Sequence, residues 1–75
     1  MWRETRRQRA ARRRREQTVR ELHAVLRNLH RNEAAFQLAE DEFAIERVIY
    51  EHAALMCHCR ALLRELQGKS TCLRP

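Results

Sequence analysis

Seventy-five residues with one Gly and one Pro leave room for a single small domain, and exclude a sheet protein because nothing supplies the turns that several strands need. The net charge of +6 is unevenly placed: residues 1–20 carry nine Arg against Glu4 and Glu16, whereas residues 21–75 carry seven Lys or Arg against eight Asp or Glu. No apolar run reaches the roughly 18 to 20 residues of a membrane span, and no apolar core follows the first charges as in a secretory signal, so the expectation is a cytoplasmic protein with reduced cysteines.

Residues 1–15, MWRETRRQRAARRRR, form an arginine-rich arm. Arg3, Arg6, Arg7, Arg9, Arg12, Arg13, Arg14 and Arg15 are the candidate nucleic-acid-binding residues, because the guanidinium fork holds phosphate bidentately and stacks on bases. Binding of this kind draws on counterion release and is blind to base sequence, so neither RNA nor DNA is singled out. The arm holds no helix breaker and is expected to be helical or disordered. Like charges at i,i+4 spacing, as at Arg9 and Arg13, favour fraying in the free chain. An acidic protein surface is the alternative partner. An anionic membrane fits less well, since the arm has almost no apolar face besides Trp2.

From about 16 to 39 the pattern turns amphipathic, with Val19, Leu22, Leu26, Leu29 and Phe36 in steps of three or four and Glu33 in the seam. A turn is read at about 39–42, where Glu40, Asp41 and Glu42 gather and Asp41 suits an N-cap. No Gly or Pro enforces that turn, so one continuous helix is the alternative. A second helix follows over about 43–67, with a stripe through Ile45, Val48, Leu55, Cys59, Leu62 and Leu66. Gly68 is a plausible stop, and 68–75 reads as a flexible tail.

Pairing positions whose numbers sum to 81 matches the stripes seam to seam, Leu22 with Cys59 and Phe36 with Ile45 among them. The expected fold is therefore all-α: an antiparallel, coiled-coil-like helical hairpin of residues 16–67, with the arm projecting beyond the end opposite the turn. Val25, Ile49, Tyr50, Met56 and Leu63 widen the apolar stripe past what one helix covers. Ile49, Tyr50, Met56 and Leu63 are the candidate self-association or partner face, and a homodimer forming a helical bundle is the economical way to bury them.

From Phe36 onward the chain resembles the YaaL-like family of short bacterial proteins of unknown function. Asp41 stands at the family's turn Asp, Ile45 and Glu46 at the apolar and acidic positions after it, and Val48, Ile49 and Tyr50 at its Ala-Ile-Tyr signature. Ala54, Leu62 and Leu63 continue the match, which covers about residues 20–67. Glu42 replaces the turn Pro, Cys59 stands where an aromatic is usual, and the arm has no counterpart. The resemblance implies a small cytosolic helical hairpin, in a family often encoded beside a recombination-repair gene, with no known catalytic residue.

Other constellations carry less. Cys57 and Cys59 point about 200° apart on a helix, so with His52 and His58 they make a poor zinc set, and Cys59 reads as a small buried apolar side chain. Glu33 and His52 are placed to meet near the seam. Gly68-Lys69-Ser70 lacks the upstream Gly and strand of a phosphate-binding loop. No catalytic arrangement, ligand pocket, cofactor or metal is expected. Two functional readings follow: a non-enzymatic accessory that binds nucleic acid through the arm, or a protein-protein adaptor whose apolar face docks on a partner helix.

Overall fold

A computed structural model describes residues 2–68, and the expected tail beyond Gly68, with Cys72, lies outside them. The described residues form two helices, α1 (Arg6–Leu38) and α2 (Glu42–Leu66), packed against each other as an antiparallel hairpin. Its radius of gyration is 17.3 Å, against about 11 Å for a compact domain of this length, so the molecule is elongated and flat, 62 by 33 by 12 Å.

The first helix starts ten residues earlier than the apolar pattern indicates. Thr5 and Gln8 explain why. The Thr5 hydroxyl accepts from the Gln8 amide at 3.1 Å and the Gln8 side chain accepts from the Thr5 amide at 2.7 Å, a reciprocal cap that satisfies two orphan donors. The arm is thus the opening of α1 rather than a frayed tail. Its end follows from backbone geometry, since Ala39 turns extended (φ −69°, ψ 127°).

Asp41 caps α2 as the acidic cluster suggests, accepting from the Ala44 amide through Oδ1 at 2.8 Å. Glu42 in the first turn and Arg64 in the last complement the helix dipole. Gly68 adopts φ +73°, the left-handed conformation that stops a helix cheaply only at glycine.

Interhelical contacts join Arg15 to Leu66, Thr18 to Glu65 and Asn32 to Val48, positions whose numbers sum to within two of 81. The register is the expected one. The face of α1 turned inward is not. Thr18, Val25 and Asn32 are its buried residues, one heptad apart, with Leu22 and Leu29 between them, whereas Leu26 is 47% exposed and Glu33 is exposed. The seam of α1 is therefore rotated by one residue from the expected line through Val19, Leu26 and Glu33.

Two polar side chains account for the rotation, because each finds a partner on α2. Asn32 Nδ2 donates to the Val48 carbonyl at 3.1 Å, and the Thr18 hydroxyl lies 2.8 Å from Glu65 Oε1 and 3.0 Å from the Arg14 carbonyl. Between them Val25, Cys59 and Leu62 form the core, flanked by Leu22, Leu29 and Leu55. Only Val25, Val48, Cys59 and Leu62 are buried apolar residues among those described, a small core for a free-standing chain.

Candidate nucleic-acid interface

All eight arginines of residues 1–15 are exposed, and the helix assigns them different surroundings. Arg12 is held: its Nε and Nη2 donate to both carboxylate oxygens of Glu4 at 2.9 Å, and its Nη1 lies 3.6 Å from Glu16. This bidentate pair holds the Glu4 carboxyl below its ordinary value and makes Arg12 still harder to deprotonate. Arg15 is held as well, donating through Nη1 at 3.0 Å to the carbonyl of Leu66, at the C-terminal end of α2. Arg9 reaches the Glu4 carbonyl at 3.4 Å.

Arg6 and Arg13 meet no carboxylate within 4.0 Å among the described residues, nor do Arg3, Arg7 and Arg14. At about 100° per residue, Arg6, Arg9 and Arg13 fall on the side of α1 turned away from α2, and Arg20, Arg27 and Arg31 continue the same line. The six are exposed along about 38 Å of helix, and the last three pair with no carboxylate among the described residues. Arg20 and Arg31 rest only against the neutral Gln17 and Asn28, at 3.5 and 3.3 Å. The one acid on this line is Glu16, which Arg12 engages.

Sequence reasoning confined the basic surface to the arm, and so missed Arg20, Arg27 and Arg31. The signal was present in their helical spacing, but a net charge counted over a segment does not register spacing. Arg7 and Arg14 lie on the side facing the hairpin seam, and Arg14 lines the recess with Thr18 and Glu65 at the end of α2.

The apolar candidates divide too. Ile49, Met56 and Leu63, seven residues apart, share one line of α2, with Ile49 54% and Leu63 41% exposed. Tyr50 is turned about 100° from them, on the line of Phe43, away from the hairpin groove. Ile49 and Phe36 share an open groove of about 390 Å³ with Glu33, Gln37, Val48 and His52, a recess the sequence did not lead one to expect. Glu33 and His52 both line it, yet no ion pair joins them. Cys59 is buried and Cys57 exposed, on the opposite sides their spacing requires.

Compared with known proteins, the chain matches no family model, no curated protein and no solved structure. Among the described residues no helix is long and apolar enough to cross a membrane.

Proposed function

We propose that the protein is a cytoplasmic, non-enzymatic accessory that binds nucleic acid without sequence preference through the outer face of α1. The observation that carries this reading is the line Arg6, Arg9, Arg13, Arg20, Arg27 and Arg31, exposed and, among the described residues, without a carboxylate partner. Arg9, Arg20 and Arg31 each lend one guanidinium nitrogen to a neutral oxygen, and the rest of the row's donors are left for an outside polyanion. A rod of charge about 38 Å long exceeds one turn of duplex, about 34 Å, and so meets phosphates from more than one approach of the backbone. We extend the same reading to kinship with the YaaL-like family, supported by Asp41 opening α2 and by the hairpin itself.

The test is binding of a labelled duplex and a labelled single strand across a salt series. Arg6, Arg9 and Arg13 are changed to Gln in one variant, Arg20, Arg27 and Arg31 in another. Each triple variant is expected to flatten the dependence of log K on log salt on duplex by up to about 2.7, or about 0.9 for each phosphate no longer neutralised. Full-strength binding by both variants would overturn the reading. A second reading, a protein adaptor, is favoured by Leu26, Phe36, Ile49 and Leu63, each more than 40% exposed. In that case arginine loss leaves function intact and polar replacements at Ile49, Met56 and Leu63 abolish it.

A further inference from the structure

The two sides of the hairpin differ in chemistry. On one, the recess between the helices is lined by Asn28, Arg31, Asn32, Ala35, Glu51 and Ala54, with the half-buried Leu55 of the core at its floor and no exposed large apolar side chain. The other carries Phe36 and Ile49 in its groove. Helix geometry brings Leu26 from α1 and Met56 and Leu63 from α2 to this same side. Four large apolar side chains on this face remain 41% to 54% exposed, while the core beneath them is small. A chain of this size gains stability by covering such a face.

Charge is polarised along the rod. Residues 1–20 carry +7, whereas residues 33–51 hold Glu33, Glu40, Asp41, Glu42, Glu46 and Glu51 against Arg47, a balance of −5 around the turn. Two hairpins stacked face to face and pointing the same way would set arm on arm and turn on turn. Stacked in opposite directions, they set each basic arm beside the acidic turn of the other.

We propose that the occupant of the apolar face is a second copy of this chain, laid antiparallel, with each arm contacting the other's turn. Arg12 and Arg15 lie on the same side of α1 as Leu26, fourteen and eleven residues away, so they run from the apolar face toward the overhang. With the two α1 helices crossing at Leu26, Arg12 comes level with Glu40 of the second copy. Arg6, Arg9 and Arg13 stay on the outside. The dimer therefore stands whether or not the outer face binds nucleic acid.

The oligomeric state is read by sedimentation equilibrium on the full chain at about 100 μM, where twice the 9.1 kDa chain mass is expected. A helical monomer at that concentration leaves the face to some other protein and overturns the proposal. Orientation is read by a nitroxide at Ala10→Cys in a chain carrying Cys57→Ser, Cys59→Ala and Cys72→Ser, using pulsed dipolar spectroscopy. Ala10 lies sixteen residues from Leu26, so the antiparallel dimer separates the two labels by about 50 Å. Labels on the outer sides of two parallel hairpins would lie about 25 to 30 Å apart, so a separation under about 35 Å means parallel stacking and defeats the proposed arrangement. Met56→Glu is expected to shift the chain to monomer mass, and a dimer that persists unweakened in this variant places the interface elsewhere.

Discussion

Asn32 shows how one polar side chain sets the packing of a whole face. Its amide is buried and donates across the hairpin, so the position is closed to apolar logic yet central to the register. Removing it in Asn32→Ala is expected to cost about 1 to 2 kcal/mol in urea unfolding, the price of a lost buried hydrogen bond and its packing. Asn32→Leu is expected to hold or raise the unfolding midpoint while weakening the choice of register, as apolar replacements do at such coiled-coil positions. Heterogeneous amide spectra would report that loss. Glu33, one residue on, looked the better seam candidate only because its neighbours Leu29 and Phe36 suggested it. Which of two adjacent polar residues faces inward depends on a partner carbonyl sixteen residues away, and that is invisible in a local pattern.

Glu4 is the other residue with a readable chemical consequence. Its carboxyl is depressed by the Arg12 guanidinium, chiefly through the direct hydrogen bonds. A depressed acid favours the folded arm above its unfolded pKa, and that contribution is lost as pH falls through the lower folded value. Acid titration followed by NMR is therefore expected to show Glu4 protonating at lower pH than an ordinary Glu, with fraying of residues 2–8 over the same range. Glu4→Gln should fray the arm at every pH. An unshifted Glu4 titration would mean that the pair does not persist in solution.

Among the elements, α1 was half legible. Its amphipathic part, the turn and all of α2 follow from apolar spacing and from the capping carboxylate of Asp41, within one or two residues. The arm's helix does not follow from apolar spacing, because its first three turns have no apolar stripe. The usable signal was Thr5 with Gln8 three residues on, a start motif lying inside a run that reads as pure charge. Thr5→Ala is expected to destabilise the arm by about 1 kcal/mol and leave the hairpin's unfolding midpoint nearly unchanged. Amide exchange should quicken over residues 6–10 and stay slow at Val25 and Leu62.

For the molecule as a whole, elongation is the property that matters. Composition and charge indicated a basic arm on a neutral body, a fair account of the totals. The folded chain redistributes that charge into a line down one helix and an acidic cap at the turn, because a helix sorts residues by angle and a hairpin sorts them by distance along a rod. Scattering from a dilute monomer should return a radius of gyration near 17.3 Å, and a value near that of a compact globule would rule out the open hairpin.

About nine residues of α1 extend past the end of α2, anchored where Arg15 meets Leu66. That overhang is a cantilever, clamped at one end and stiffened from within by its cap and by the Glu4–Arg12 pair. Its charges keep their mutual spacing, so a polyanion reaching it does not first have to order a loose chain. Fixing a flexible backbone costs about 1 to 2 kcal/mol per residue, and here the helix meets that cost before any ligand arrives.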